Sequence, residues 1–292
     1  MALLTPENSK KTDLIYINIA TFMLGFAGLF AKLITLPALI IICGRSLCAT
    51  PFLYLVHTIK GKKQPIRSKK DACIIGLAGV LMAIHWVWFY QSVQYSTVAV
   101  GVVCVYTYPL MSSLLEPLFF KQKIEKITII EALIILVGII ILSQHQTSAG
   151  SIVIGIIYGI GSALTFALRN ILVKDLLKHY NGTWIMGVQC AITALVLLPW
   201  SWQSIISVSK INAFYILIAG IGISGIAHTL FVTSLRSLSA TTAGIIASFQ
   251  IVYAMIAAWI ILNEIPSIYM LLGAGIILIT IIYEQIRLLK SS

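Results

Sequence analysis

Apolar stretches of about twenty residues recur along the whole chain, and their length limits the possible folds more than any other feature. An α-helix needs about 20 apolar residues to cross a hydrocarbon core of about 30 Å, so these stretches predict about ten spans. Helices are favoured over barrel strands because strands alternate over about ten residues, whereas these runs are continuous. The predicted spans are 14–35, 37–58, 72–94, 97–120, 127–143, 151–171, 183–202, 211–233, 240–262 and 267–286.

The composition of the chain agrees with a location in a membrane. Hydrophobic residues make up 59% of the 292 residues, charged residues make up 10%, and the mean hydropathy is +1.00. A globular domain of about 300 residues leaves roughly a quarter of its unfolded-chain surface exposed, so it cannot hide this much apolar surface. We therefore predict an all-α integral membrane protein. Cations at membrane edges explain the net charge of +11 better than nucleic-acid binding does.

The basic residues predict the orientation of the spans, because cytosolic loops carry an excess of lysine and arginine. We expect a multi-pass protein of the cytoplasmic (inner) membrane with both termini in the cytosol. The first apolar stretch is too long for a signal peptide, so span one is expected to remain in the mature protein. The basic residues on the predicted cytosolic side are Lys10, Lys11, Lys60, Lys62, Lys63, Arg67, Lys69, Lys70, Lys121, Lys123, Lys126, Lys174, Lys178, Arg236, Arg287 and Lys290.

The chain lacks the sequence patterns of common enzymes and metal sites. Its five cysteines form no CxxC pair and have no histidine at zinc spacing, so we predict no metal site and no cofactor. The HExxH, GxSxG and GxxxxGK[ST] patterns do not occur. We therefore predict a protein that is not an enzyme and has no catalytic residues. The alternative is a membrane-embedded enzyme that uses intramembrane histidines as acid or base.

An internal repeat relates the two halves of the chain. The segment AIHWVWFYQSVQYS (83–96) matches IAHTLFVTSLRSLS (226–239), and the match places His85 over His228. Because each half holds an odd number of spans, the second half enters the membrane from the opposite side. We predict two inverted five-helix repeats, 1–145 and 146–292. Inverted repeats are a recurrent plan of secondary transporters, whose substrate sites lie near the midplane between the halves.

Short motifs along the chain carry a family resemblance. They are Arg45 before ATPFLYL, the related turns at 95–97 and 238–241, Pro109 in span four, and LNEIPS (262–267) at the end of span nine. In these motifs the chain resembles the drug/metabolite transporter superfamily, and within it the ten-span EamA-type permeases. The resemblance implies a central cavity lined mainly by spans three, four, eight and nine.

The repeat and the resemblance together predict a secondary transporter that moves a small organic metabolite by alternating access. A multidrug exporter of the same fold is an alternative. The expected partners are a small-molecule substrate and the lipid bilayer, without nucleic acid. We expect a monomer or a homodimer, because one chain contains both halves.

Polar and aromatic residues at midplane depth are the candidates for substrate binding. A histidine in a cavity can bind a carboxylate or relay a proton, whereas a neutral ring bonded to a neighbouring helix is the alternative. Spans four and nine offer tyrosine hydroxyls and an amide, and helical spacing places Trp88 on the face of His85. The predicted substrate-binding residues are His85, Trp88, Tyr106, Tyr108, His228, Gln250, Tyr253, Arg45 and Lys32.

Three cations lie inside the predicted spans. Lys32 and Arg169 lie near the ends of their spans, so we expect both side chains to extend to the interface. Arg45 lies deeper, where a charge costs about 2.5–3.5 kcal/mol on insertion scales, so it needs a partner or contact with water. That partner is either an anion, such as a substrate carboxylate, or a carbonyl or helix end. Aromatic residues together with cations favour an amino-acid-like or nucleoside-containing zwitterion as the substrate.

Overall fold

The computed structural model of the chain describes residues 6–59, 64–120, 126–143, 149–234, 238 and 246–291, and all regular structure in these ranges is helical. Seven helical segments in this part of the chain are long and apolar enough to cross a membrane. Shorter apolar helices cover Ile246–Leu262 and Ile268–Tyr283. The prediction of an all-α, multi-pass membrane protein is confirmed, whereas the number of ten spans stays a prediction. The seven segments are Lys11–Leu33, Ala38–Ile59, Lys69–Tyr95, Val98–Phe119, Ser151–Lys174, Gly182–Ile206 and Lys210–Ser234.

The helices are numbered α1 to α13 along the chain, with one π-helical segment between α10 and α11. Several of them begin at a residue whose side chain accepts a hydrogen bond from a free backbone N–H, such as Ser68, Thr97 and Asn181. The helices are Pro6–Gly25 (α1), Ala27–Leu33 (α2), Ala38–Ile59 (α3), Lys69–Tyr95 (α4), Val98–Val105 (α5), Tyr108–Phe120 (α6), Lys126–Ser143 (α7), Ala149–Leu176 (α8), Gly182–Ile206 (α9), Lys210–Ile218 (α10), Ala219–Ala227 (the π-helix), His228–Ser234 (α11), Gln250–Leu262 (α12) and Ile268–Ser291 (α13).

A break divides predicted span four into α5 and α6. Pro109 has no N–H with which to bond the carbonyl of Val105, and its ring crowds that carbonyl. The helix is therefore interrupted at Tyr106 and Thr107. The break brings the rings of Tyr106 and Tyr108 together, with their centroids 5.7 Å apart.

A π-helix interrupts predicted span eight between α10 and α11. Its glycines allow a close approach to α3, because a Cβ atom at Gly220 would lie only 2.8 Å from the carbonyl oxygen of Arg45. π-helical turns are rare and are frequent at functional sites. Here the segment carries Ser224 and ends where α11 begins at His228.

The main helix contacts join the first half of the chain to the second. α3 packs against α9, α4 against α8, α7 against α13, and α1 against α11. Large apolar side chains such as Trp200, Ile260 and Ile279 point outward and are 70% or more exposed, as expected of a surface that meets lipid. Some predicted features lie outside the described residues, namely Lys60, Lys62, Lys63, Lys121, Lys123, Arg236 and positions 239–241 of the second turn motif.

Candidate functional site

A cavity lies between the two halves of the chain, and its empty space, including the part that is open to the surroundings, is about 550 Å³. Seven of its lining residues are aromatic residues other than histidine, and they lie on α4, α6, α8 and α11 and at the break after α5. Of the described residues that line it, Arg45 is the single cation, and none is an aspartate or glutamate. The lining residues are Leu24, Ala27, Arg45, His85, Trp86, Phe89, Tyr90, Val105, Tyr106, Tyr108, Phe166, His228, Phe231 and Gln250.

His85 is held by Ser162 of α8. Its Nδ1 atom lies 3.0 Å from the carbonyl oxygen and 2.8 Å from the hydroxyl oxygen of Ser162, and this hydroxyl donates to the carbonyl of His85 at 2.9 Å. A hydroxyl has one hydrogen, so Nδ1 carries a proton and donates it to Ser162. The imidazole also stacks on Phe166, with the ring centroids 4.4 Å apart. These contacts fix the ring and leave Nε2 for another partner.

His228 is neutral, as its contact with Trp86 requires. The indole Nε1 of Trp86 donates to Nε2 of His228 at 3.2 Å. An indole N–H can only donate, so Nε2 of His228 must be unprotonated. Because Trp86 lies on α4 and His228 begins α11, this bond joins the two halves of the chain across the cavity.

A second hydrogen bond joins the halves at the break in span four. The hydroxyl of Tyr106 donates to Oε1 of Gln250 at 2.6 Å, and Nε2 of Gln250 donates to the carbonyl of Leu24 at 3.0 Å. Buried side-chain bonds between membrane helices contribute about 0.6 kcal/mol on average. The Trp86–His228 and Tyr106–Gln250 bonds therefore join the halves at defined atoms, and each is weak enough to break when the helices move.

Arg45 is a buried cation whose hydrogen bonds are incomplete. It is 1% exposed, and its Nε and Nη2 atoms donate to the hydroxyl of Ser224 at 3.2 and 2.8 Å. Its Cζ atom lies 4.9 Å from the ring centre of Tyr90 and 5.7 Å from that of Trp86. Among the described residues, Nη1 of Arg45 and the hydroxyl of Tyr90 have no hydrogen-bond partner. A buried group left in this state costs about 1–3 kcal/mol, and more when it is charged.

Six of the nine predicted binding residues line this cavity, and three do not. Trp88 packs against α8, Tyr253 packs against Phe22 of α1, and Lys32 donates to the carbonyl of Ser96 at 2.8 Å. A role of these three residues in substrate binding stays a prediction.

Arg169 does not reach the membrane interface, so that prediction is wrong. Its side chain is 1% exposed, and its guanidinium donates to Oε1 of Gln189 and Oδ1 of Asn170. Gln189 lies on the neighbouring helix α9, and Asn170 follows Arg169 on α8. These two oxygens stabilise the positive charge inside the bundle. Arg169 lies outside the lining of the cavity.

Trp86, Tyr90 and Phe166 also line the cavity, and they are not among the predicted binding residues. A signal for the first two exists in α4, since residues 85, 86, 89 and 90 form one stripe along a helix. Phe166 lies on α8 within an apolar run, and no pattern in the sequence distinguishes it from the other apolar residues of that run.

Glu264 links the halves at one end of the bundle, in the turn between α12 and α13. Its carboxylate accepts a hydrogen bond from the backbone N–H of Val98 at 3.0 Å, at the first residue of α5. Asn263 allows this turn by adopting a left-handed conformation with φ of 57°. Burial raises the pKa of the Glu264 carboxyl above its usual value, although the Val98 bond and the charge of Lys32 act in the opposite direction.

The described residues contain no group of three or more histidine, cysteine, aspartate or glutamate side chains that could hold a metal ion. The site is therefore described by its hydrogen bonds, its aromatic walls and the charge of Arg45.

The bundle of apolar helices around a central cavity is the architecture of a membrane transporter, and the chain belongs to the EamA-like transporter family. The model of this family matches residues 12–144 and again 153–283. The chain is similar to the uncharacterized transporter YxxF of Bacillus subtilis (strain 168), with 25% identity over 274 residues that cover 91% of this chain and 87% of that protein.

Two further comparisons extend this result. The pseudopaline exporter CntI of Pseudomonas aeruginosa (strain UCBPP-PA14) is 22% identical over 249 residues, which cover 85% of this chain and 86% of that protein. A crystal structure of a protein superposes with a TM-score of 0.67 at 13% identity, covering 96% of this chain and 97% of the other. This superposition shows a shared fold. The relatives named here are transporters, in agreement with a function other than that of an enzyme.

Proposed function

We propose that the protein is a secondary transporter that carries a small organic metabolite across the cytoplasmic membrane by alternating access. The observation that carries this proposal is the cavity between the halves, which is lined by the matched residues His85 and His228. Secondary transporters with inverted repeats bind their substrates at this interface. The contacts of both histidines cross from one half to the other.

The helix packing supports ten spans arranged as two inverted repeats, 1–145 and 146–292. In such an arrangement α1 corresponds to α8, and α4 corresponds to α11. The contact between α1 and α11 then becomes the contact between α8 and α4 when the halves are exchanged, and both contacts occur. α3, α5 and α7 pack directly against their own counterparts, α9, α12 and α13. A two-fold axis in the membrane plane produces both patterns.

The chemistry of the cavity favours an amphipathic substrate. Aromatic walls suit a flat or apolar body, and Arg45 suits a negative end, which agrees with an amino-acid-like or nucleoside-containing zwitterion. Multidrug export of lipophilic cations is disfavoured by the charge of Arg45. Because one relative is named an exporter, outward movement of the substrate is the candidate direction.

We propose cytosolic termini and a chain that functions as a monomer or homodimer. Cys73 tests the orientation, because it is exposed near the start of α4, at the predicted cytosolic end. A membrane-impermeant maleimide should label Cys73 in inside-out vesicles and leave it unlabelled in intact cells. The opposite labelling pattern would reverse the proposed orientation.

Uptake into proteoliposomes tests the function itself. A mixed pool of metabolites is supplied, and the accumulated compounds are identified by mass spectrometry. The wild type should accumulate one chemical class without altering it, and the His85→Ala, His228→Ala double variant should lose this uptake. The matched control is the His57→Ala, His179→Ala double variant, since neither residue lines the cavity.

Two results would contradict the proposal. If the wild type accumulates no compound under any imposed gradient, the protein is not a transporter of these metabolites. If compounds are recovered in a chemically altered form, the alternative of a membrane-embedded enzyme is favoured instead. Loss of uptake in both double variants would assign the effect to folding rather than to the cavity histidines.

A further inference from the structure

We infer that Arg45 and Tyr90 form a subsite for a single carboxylate group of the substrate. This subsite presupposes the transport function proposed above. It replaces the zwitterion by a monocarboxylate with an apolar or aromatic body, because the described lining residues offer no carboxylate to an ammonium group. The two side chains are in direct contact, with Cζ of Arg45 4.9 Å from the ring centre of Tyr90.

The first reason is the set of free donors. Ser224 accepts from Nε and Nη2 of Arg45, so the two hydrogens of Nη1 and the hydroxyl of Tyr90 are left among the described residues. Arg45 and Tyr90 both line the cavity, and each residue is at most 1% exposed. A carboxylate offers two oxygens that accept several hydrogen bonds in one plane, which matches donors from a guanidinium and an adjacent hydroxyl.

The second reason is the uncompensated charge. The described residues place no carboxylate within ion-pair distance of Arg45, and none lines the cavity. A neutral acceptor would complete the hydrogen bonds but would leave a buried positive charge without a counter-charge. An anion satisfies both needs.

The third reason limits the ligand to one negative charge. The described lining residues include no second permanent cation. His228 accepts from Trp86 and is therefore neutral, and a charge on His85, which stacks on Phe166, would be buried without a counter-charge. Arg169 is already bonded to Gln189 and lies outside the lining. A dianion such as a phosphate monoester would thus keep one charge uncompensated, whereas a monocarboxylate would be neutralised.

The rest of the cavity describes the body of the ligand. Beyond Arg45 and Tyr90, the wall includes the rings of Trp86, Phe89 and Phe166 and further apolar side chains, which can pack against a flat or apolar group. Several polar side chains of the wall already have partners: Trp86 donates to His228, Tyr106 donates to Gln250, and His85 donates to Ser162. The preferred ligand therefore has its carboxylate at one end and an aromatic or aliphatic body at the other.

Ligand binding to the purified protein in detergent tests the subsite without reference to transport. The probes are the carboxylates benzoate, 3-phenylpropanoate and indole-3-acetate, each paired with the primary amide of the same shape. Thermal unfolding is followed at increasing probe concentration, with sodium chloride at equal ionic strength as a further arm. Each probe that fits should raise the unfolding midpoint as its carboxylate and have little effect as its amide.

Two variants assign the effect to the subsite. Tyr90→Phe keeps the ring and removes the hydroxyl, so the apparent affinity for carboxylates should fall about fivefold. Arg45→Lys keeps the charge and removes the planar fork, so the affinity should fall about tenfold or more. The matched controls are Tyr95→Phe and Arg169→Lys, which lie outside the cavity and should bind as the wild type does. If Arg45→Lys does not fold, Tyr90→Phe decides alone.

The outcomes separate this inference from the proposed function. Equal stabilisation by amides or by chloride overturns the carboxylate subsite, as does a carboxylate preference that persists in Tyr90→Phe and Arg45→Lys. The absence of a carboxylate preference with every probe overturns it as well. Uptake of a metabolite without a carboxylate would refute the subsite and keep the transport function. Carboxylate binding without uptake of any compound would keep the subsite and refute transport.

Discussion

Replacement of Gly79 by alanine should disturb the contact between α4 and α9, whereas the same replacement at Gly76 should not. Both glycines lie on α4, the helix that carries His85. A methyl group at Gly79 would lie 2.8 Å from Cβ and Cγ2 of Ile192, and 2.9 Å from its Cδ1. At Gly76 no atom lies within 4 Å of the added methyl group. Because Cβ of Ile192 is attached to the backbone, a rotation of the side chain cannot relieve the contact.

The size of the effect follows from these distances. Carbon atoms pack at about 3.5–4.0 Å, so the helices must separate by about 1 Å at Gly79. Overpacking of this kind costs about 1–3 kcal/mol. Alanine in a helix is favoured over glycine by about 0.5–1 kcal/mol, which offsets part of that cost. We expect Gly79→Ala to lose about 0.5–2 kcal/mol of unfolding free energy and Gly76→Ala to gain up to about 1 kcal/mol.

The assay is unfolding in detergent, followed with a dye that becomes fluorescent on reaction with thiols. It suits this chain because Cys43, Cys104 and Cys190 are buried and become accessible when the helices separate. Gly79→Ala should cost less in an Ile192→Ala background than in the wild type, since Ile192→Ala removes Cγ2 and Cδ1, two of the three close atoms, and leaves only Cβ. Equal effects at Gly79 and Gly76, or an unchanged cost of Gly79→Ala in the Ile192→Ala background, would refute the packing explanation.

Three further predictions concern a pH effect and two contacts. Because burial raises the pKa of Glu264, the folded state holds this proton more tightly than the unfolded state does. The melting temperature of the wild type should therefore rise relative to Glu264→Gln as the pH falls from neutral toward the usual carboxyl range. Trp86→Phe removes the donor to His228 and should cost about 0.6 kcal/mol, and at most about 1.7 kcal/mol, in detergent unfolding. Gly273→Ala places a methyl group 2.5 Å from a backbone oxygen of α7, so it should destabilise by about 1–3 kcal/mol, whereas Gly275→Ala meets nothing within 4 Å and should not.

Each of these predictions has an opposing result. A constant difference in melting temperature between wild type and Glu264→Gln across this pH range would contradict the effect of burial. A cost of Trp86→Phe that is unchanged in a His228→Ala background would show that the hydrogen bond is unimportant. Equal stability of the two glycine variants on α13 would contradict the close contact with α7.

The positions of His85 and His228 in the cavity were predictable from the internal match of the sequence. The two histidines occur in similar segments of the two halves, and both line the cavity. The internal match therefore indicated the region of the cavity without any information on helix packing. The apolar stretches likewise predicted the helices, since span length depends only on bilayer thickness.

The side of each helix that faces the cavity was harder to predict than the helix itself. Neighbouring residues differ by about 100° around a helix, so Trp86 and Trp88 lie in different directions although both are near His85. The structure turns Trp86 toward the cavity and Trp88 toward α8. Only the packing of neighbouring helices decides between these directions, and local spacing does not contain that information.

The partner of Arg45 was not predictable for a similar reason. Ser224 lies in the π-helix, which approaches α3 closely at Gly220. Helix propensity and hydrophobic pattern are nearly the same for a π-helix and an α-helix over so short a segment. The sequence indicated that Arg45 needed a partner, and the fold supplied a serine that accepts hydrogen bonds but carries no charge.

The charge of Arg45, the one cation among the described lining residues, also has an electrical consequence. With a carboxylate bound to Arg45, the lining and its ligand would be neutral, whereas the empty cavity carries one positive charge. Movement of one elementary charge through a membrane potential of 100 mV involves about 2.3 kcal/mol. Voltage would then act on the return of the empty carrier and not on the loaded step. A change in membrane potential should accordingly alter net transport more than exchange of one substrate molecule for another.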